Sequence, residues 1–218
     1  MSDNHNVAVY NTETGALIGF SKGDTAKIID CAFKDEKEFC TIGPKHFKSW
    51  TIGANLTAKR GNFGKKDQRI GSCAFHKTTL LTGAITGELY LWKGNSIGQA
   101  KKYHEKLIDA ILVTKDYIMT GGRDCKVNIL SPSNYSVLFS FSTSNWATMN
   151  GAVRSLSLSQ NGNTLMVGTL GHEVFQVDFN GAQKKVSDSR ALIHGHYAPL
   201  LQDNNEVWGL TSLKNKNQ

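Results

Sequence analysis

The chain has no apolar run near the ~18–20 residues of a membrane-spanning helix. Its first residues, Met1-Ser-Asp-Asn-His-Asn6, lack the basic start and apolar stretch of a secretory signal. Proline is scarce, three residues against twenty-one glycines, which excludes collagen-like and Pro-rich chains. Charged residues make up 20%, too few for a disordered polyelectrolyte. Cys31, Cys40, Cys73 and Cys125 form no C-x-x-C pair, and no histidine pair has zinc-site spacing. They read as reduced structural thiols of a soluble, cytosolic, unsecreted chain with no bound metal. Absent too is any window of about 12 residues with a convincing amphipathic helical period.

What is present is alternation. Short apolar runs of period 2 recur along the 218 residues, separated by Gly, Asn, Asp and Ser. Fifteen can be marked, from Val7-Ala-Val-Tyr10 to Val207-Trp-Gly-Leu210. The expected class is all-β. Three segments share one plan: Thr82-Gly-Ala-Ile-Thr-Gly-Glu-Leu-Tyr-Leu-Trp92, Thr120-Gly-Gly-Arg-Asp-Cys-Lys-Val-Asn-Ile-Leu130 and Val167-Gly-Thr-Leu-Gly-His-Glu-Val-Phe-Gln-Val177. Each reads strand, small residues, tight turn, strand, and ends on a large apolar residue nine positions after the Gly. Thr41-Ile-Gly-Pro-Lys-His-Phe-Lys-Ser-Trp50 is read as the same unit with a hairpin shorter by two. The closing positions Tyr10, Trp50, Trp92, Leu130 and Val177 lie 40, 42, 38 and 47 residues apart.

A repeat of ~40–45 residues with four short strands per unit marks the blades of a β-propeller. Residues 1–218 are therefore expected to form one partial WD40-type propeller. It would hold the end of one blade, four complete blades ending near Trp50, Trp92, Leu130 and Val177, and a new blade opening near Val207. Such an arc is open, or is a fragment of a larger ring, with edge strands at Val7–Tyr10 and Val207–Leu210 left for other protein to pair. Trp50, Trp92, Leu130 and Val177 are expected to pack between blades, and the glycines to relieve crowding towards a central channel. The repeats are degenerate: they lack the Trp-Asp dipeptide, and Gly171-His172 and Gly195-His196 are the two Gly-His signals.

Catalytic patterns are missing. Gly61-Asn-Phe-Gly-Lys-Lys66 has the wrong spacing for a phosphate loop, with no Ser or Thr following and no helix. There is no G-x-S-x-G and no carboxylate pair in an evident cleft. Seven histidines are scattered, mostly in turns; His194 and His196 have no further metal ligands indicated, and His196 reads as a turn histidine satisfied by backbone groups. The expectation is a non-enzyme without cofactor, metal or small-molecule substrate.

Charge carries more information. The net charge is +7, yet Lys45 to Lys106 holds twelve bases against Asp67, Glu88 and Glu105, and the remainder of the chain is −2. Lys59, Arg60, Lys65, Lys66 and Arg69 are read as one loop, and Lys101 and Lys102 as the equivalent loop one blade later, so that together they could form a basic rim. An acidic partner is implied. The sparse aromatics make no stacking platform for nucleic acid, which is set aside together with membranes.

The run His46-Phe-Lys-Ser-Trp-Thr-Ile52, continuing through Leu56-Thr-Ala-Lys-Arg-Gly-Asn-Phe-Gly-Lys65 and Leu80-Leu-Thr-Gly-Ala-Ile-Thr-Gly-Glu-Leu-Tyr-Leu-Trp92, resembles the echinoderm microtubule-associated protein-like (EMAP-like) family. That family has a strand ending in Trp, a loop L-T-x-K-x-G-x-F-G-K, and a strand L-T-G-x-x-x-G leading to a Trp-closed strand. Tyr117-Ile-Met-Thr-Gly-Gly-Arg-Asp124 and Glu206-Val-Trp-Gly-Leu210 are similar to its later blades. The resemblance implies a structural component of the cytoskeleton that binds tubulin or microtubules beside other microtubule-associated proteins, in the cytoplasm or in ciliary microtubules. Family members carry two joined propellers, and many have an N-terminal coiled coil; no such coil is visible here. The alternative class is a generic WD-repeat scaffold for regulatory proteins, without tubulin affinity.

Overall fold

The computed structural model describes residues 6–146, 148–187 and 189–194. The strand expected at Val207–Leu210 and the Gly195-His196 signal lie outside them. Nineteen strands and no helix are found among the described residues, in two compact units whose boundary along the chain falls between Lys102 and Tyr103.

The first unit begins with a two-stranded antiparallel sheet, β1 (Asn6–Tyr10) and β2 (Leu17–Lys22). Two four-stranded antiparallel meanders follow. One is β3 (Asp30–Phe33), β4 (Glu38–Gly43), β5 (His46–Ile52) and β6 (Leu56–Arg60). The next is β7 (Ile70–His76), β8 (Thr79–Ala84), β9 (Glu88–Lys93) and β10 (Ser96–Lys102). The second unit repeats the plan with β11 (Ile108–Val113), β12 (Ile118–Gly122), β13 (Lys126–Leu130) and β14 (Val137–Ser142). Its last sheet is β15 (Val153–Leu158), β16 (Thr164–Thr169) and β17 (Glu173–Asn180), with the fourth place shared by β18 (Lys185–Val186) and β19 (Arg190–His194). This is an all-β fold of propeller-type blades.

Trp50, Trp92, Leu130 and Val177 lie on the third strand of successive sheets, all buried. Trp50 packs with Val9 and stacks on Phe39 at 5.9 Å. Trp92 meets Phe47 of the preceding sheet at 4.2 Å and the edge of Phe63 at 5.2 Å. Tyr10, the first closing position, is 58% exposed.

Register shows where the sequence reading of the first hairpin slips. Gly83, Gly121 and Gly168 stand opposite Leu89, Val127 and Val174, each three residues before the closing position. In the β4–β5 pair that place is taken by Ile42 opposite Phe47, and Gly43 pairs with His46. The hairpin is thus shorter by one residue, not two, and Gly43 is not the counterpart of Gly83.

Alternation also proves partial. The second strands are buried on both faces: Leu80, Leu81, Thr82, Gly83 and Ala84 are all inside. Burial of successive residues in β8 makes an unbroken apolar run where a half-buried strand would show a period of two. Outward strands such as β6 and β10 keep one face in solvent.

The glycines do relieve crowding, and at Gly121 the crowding comes from the neighbouring sheet of the same unit. A Cβ there would sit 2.4 Å from Val153 Cγ1 and 3.4 Å from the Ala110 Cβ. Overpacking a buried site typically costs ~1–3 kcal/mol. Gly121→Ala is therefore expected to lower stability by about that amount, measured by urea denaturation, and Gly121→Ala with Val153→Ala to recover part of the loss.

Candidate functional site

Two groups of polar residues could carry function, one buried and one on the surface.

The buried group joins strands to the segments that precede them. Among these segments, Thr41 lies on β4 and Trp50 on β5, and the Trp50 indole N–H donates to the Thr41 hydroxyl at 2.9 Å. Thr41 in turn meets His46 Nε2 at 2.8 Å, and His46 Nδ1 meets Asp24 Oδ2 at 2.9 Å. In the second unit, His104 Nδ1 meets Asp124 at 2.8 Å, while Nε2 meets Thr120 and the Asn128 amide, each at 2.9 Å. The two networks are built from opposite places. Asp24 precedes its sheet and His46 sits at the hairpin, whereas His104 precedes its sheet and Asp124 sits in the hairpin. In the sheet of β7–β10, Trp92 donates to Thr82 at 2.9 Å.

Thr, His and Asp in line resemble a nucleophile with its base and orienting acid. Burial decides the role: the His46 and His104 side chains are fully enclosed, and Thr41 and Thr120 are inside the sheets. These groups pin the loop ahead of each sheet to its second and third strands. The sequence signal for them was a threonine inside an otherwise apolar strand; the histidines were read as turn residues.

Burial pushes the His46 and His104 pKa values down, against the pull of Asp24 and Asp124. Burial works against the charged Asp24 carboxylate, but hydrogen bonds from His46, Ala26 and Thr25 outweigh it and hold its pKa far below the usual range. Because both imidazoles bind protons less well folded than unfolded, stability is full above the unfolded His value of ~6.5 and falls as pH drops below it. Each contributes a slope of up to ~1.4 kcal/mol per pH unit. The urea midpoint is expected to drop between about pH 7 and 5.5, and His104→Asn to flatten that drop.

The surface group lies in the first unit. Lys59 and Arg60 are the last residues of β6, opposite Ser49 and Lys48. Lys101 and Lys102 end β10, opposite Leu89 and Glu88. They belong to strands, which corrects their assignment to loops: on an outer strand with one face in water, a basic run costs nothing. Lys65 and Lys66 lie in the connection between the sheets, and Arg69 immediately precedes β7.

Topology brings Lys66, Arg69 and Lys102 together, whereas Lys59 and Arg60 lie beside the β9–β10 turn, where the Asn95 amide donates to the Lys59 carbonyl at 3.0 Å. Arg69 bridges to Pro44 of the β4–β5 hairpin, and its carbonyl accepts from Ile85 N–H of the β8–β9 hairpin at 2.9 Å. Lys66 Nζ reaches Glu88 at 2.7 Å, and Lys102 Nζ donates to the Thr86 carbonyl at 2.7 Å. Arg69 pairs with Asp67 at 2.6 Å. The Arg69 hydrogen bond holds the Asp67 carboxyl below its usual range, and Lys66 does the same for Glu88. Lys101 is half-buried; the other six bases are exposed. Two acids thus temper seven bases, and the surface stays positive.

No protein-family model matches the chain. Over 216 residues it is 22% identical to a ciliary WD repeat-containing protein, ctxp80, of Euplotoides octocarinatus; the match covers 95% of this chain and 27% of that protein. The chain thus spans about a quarter of the length of this curated relative. The solved C-terminal WD40 domain of Sif2 superposes with a TM-score of 0.66 at 17% identity, over 97% of this chain and 59% of that one. A chain of the mitotic checkpoint complex superposes with a TM-score of 0.71 at 12% identity, over 95% of this chain and 62% of that one. At these identities the likeness establishes the fold alone: WD40-type β-propeller blades.

Proposed function

We propose that this WD-repeat chain is a non-enzymatic component of the microtubule cytoskeleton and binds tubulin or its polymer through the basic surface of the first unit. Seven bases of the first unit carry the proposal: Lys66, Arg69 and Lys102 meet at the β8–β9 hairpin, Lys101 adjoins Lys102, and Lys59, Arg60 and Lys65 add exposed charge elsewhere on the same unit. Summed positive charge on a rigid rim draws an acidic protein surface and orients it before contact. The EMAP-like resemblance of residues 46–92 belongs to the same reading, and the relative named as ciliary supports the cilium as a setting. Other microtubule-associated proteins are further partners under this proposal.

The test is co-sedimentation of the full chain with polymerised tubulin across a salt series. Binding is expected at low salt and should weaken steeply between about 0.05 and 0.3 M, as the screening length shortens. A folded chain that stays in the supernatant at every salt concentration would leave protein scaffolding without tubulin affinity as the function.

A further inference from the structure

We propose that the outer edge of β10 takes an extended, acidic polypeptide segment as an added strand. This deepens the reading above, on which it rests, by naming the part of the partner that the rim holds.

β10 is the edge strand of its sheet and pairs with β9 on its inner side. On the outer side a ladder begins: Asn62 forms a parallel bridge with Ser96, and Asn62 N–H donates to the Asn95 carbonyl at 2.7 Å. The chain then turns away. Asn62 Oδ1 accepts from Gly64 N–H at 2.9 Å, Gly64 takes a φ of +57°, and Lys66 N–H donates to the Phe63 carbonyl at 3.0 Å. Phe63 is buried against Trp92, which fixes the turn in place.

The result is a groove of about 570 Å³ with Phe63 to Lys66 on one wall and Ile97 to Ala100 on the other. That is within the ~300–1,000 Å³ of ordinary binding clefts. Its lining includes Lys65 and Lys66, the second of which also reaches Glu88 at 2.7 Å outside the groove, and no carboxylate lines it. Lys65 is exposed, and Lys101 and Lys102 stand at the far end of the same strand. From Ile97 to Lys102, with a bulge between Ile97 and Gln99, the edge runs just under ~20 Å at 3.3 Å per residue, room for about six residues of an added strand. A segment laid there would receive main-chain hydrogen bonds from β10, as in strand addition to other sheet edges. Its side chains would alternate, so carboxylates at every second residue would face the lysines.

The test uses the full chain and a fluorescein-labelled peptide, Glu-Val-Glu-Val-Glu-Val, read by anisotropy. Two further peptides carry N-methyl groups on one or the other set of alternate residues; both keep the charge, and one of them loses the roughly three donors that face β10. Loss of about three hydrogen bonds should weaken that peptide at least about tenfold and leave its counterpart much less affected. Lys65→Glu should weaken the unmethylated peptide several-fold, with an unchanged urea midpoint. Equal affinity for all three peptides, or no binding of any, overturns the proposal, as does an oligonucleotide of equal charge that binds while the peptide does not. The polymer assay is read alongside. Polymer binding without peptide binding sinks the groove and leaves the tubulin reading standing. Peptide binding without polymer binding supports the groove and removes tubulin as the source of its ligand.

Discussion

Trp92→Ala is expected to lower the stability of the first unit by about 3–5 kcal/mol, the range for truncating a large buried aromatic. The indole is 4% exposed and fills the space between two sheets, with Phe47 at 4.2 Å and Phe63 at 5.2 Å. Truncation opens a cavity that these rings can only partly close. It also strips the Thr82 hydroxyl of the N–H that reaches it at 2.9 Å. Trp92→Phe keeps most of the packing and removes the donor, so a loss of about 1–2 kcal/mol is expected from the unmet polar group. Urea denaturation of the three proteins separates the two contributions. A loss below about 1 kcal/mol for Trp92→Ala would mean that the two sheets are not held together through this residue.

Reversing four charges at once, Lys59→Glu, Arg60→Glu, Lys65→Glu and Lys66→Glu, is expected to abolish polymer binding at moderate salt and to cost the fold only about 1 kcal/mol, through loss of the Lys66–Glu88 pair. All four side chains are exposed, so none is held by packing. Single exposed charges contribute little by themselves, typically under ~1 kcal/mol, and their effect on association comes from the sum. Any one substitution should therefore change binding by only a few-fold. The combined variant changes the local charge by eight units, enough to invert the field seen by an acidic partner. Undiminished co-sedimentation of the reversed chain would place contact elsewhere, on other outer strands or the opposite ends of the sheets.

Much of the fold was legible because the repeat is local. The step from Gly83 to Trp92, or from Gly121 to Leu130, spans one hairpin, and the turn fixes both its length and its cross-strand register. The β4–β5 hairpin was misjudged because Gly43 looks like the glycine of the other units, and register alone shows that Ile42 holds that place. The Lys101 and Lys102 pair was read as loop because charge usually marks a connection, yet an outer strand tolerates charge on its wet face. The buried networks were invisible for a different reason. Asp24 and His46 are twenty-two residues apart, and nothing in either local sequence announces the other. The basic rim was visible as a charge count; its assembly around Arg69 depends on two hairpins meeting, which composition does not encode.

The exchange of aspartate and histidine between the two buried networks bears on how such repeats can be recognised. The bond needs one proton donor and one carboxylate, and it is indifferent to which of two places supplies each. A pattern that scores each position by itself, built on the His104–Asp124 sheet, finds two departures in the Asp24–His46 sheet. A pattern that scores the two places jointly, with a one- or two-residue tolerance in each, accommodates both sheets. In these two sheets the contact is stored in the pair and not in either place alone, and each can drift in sequence while its pair is kept.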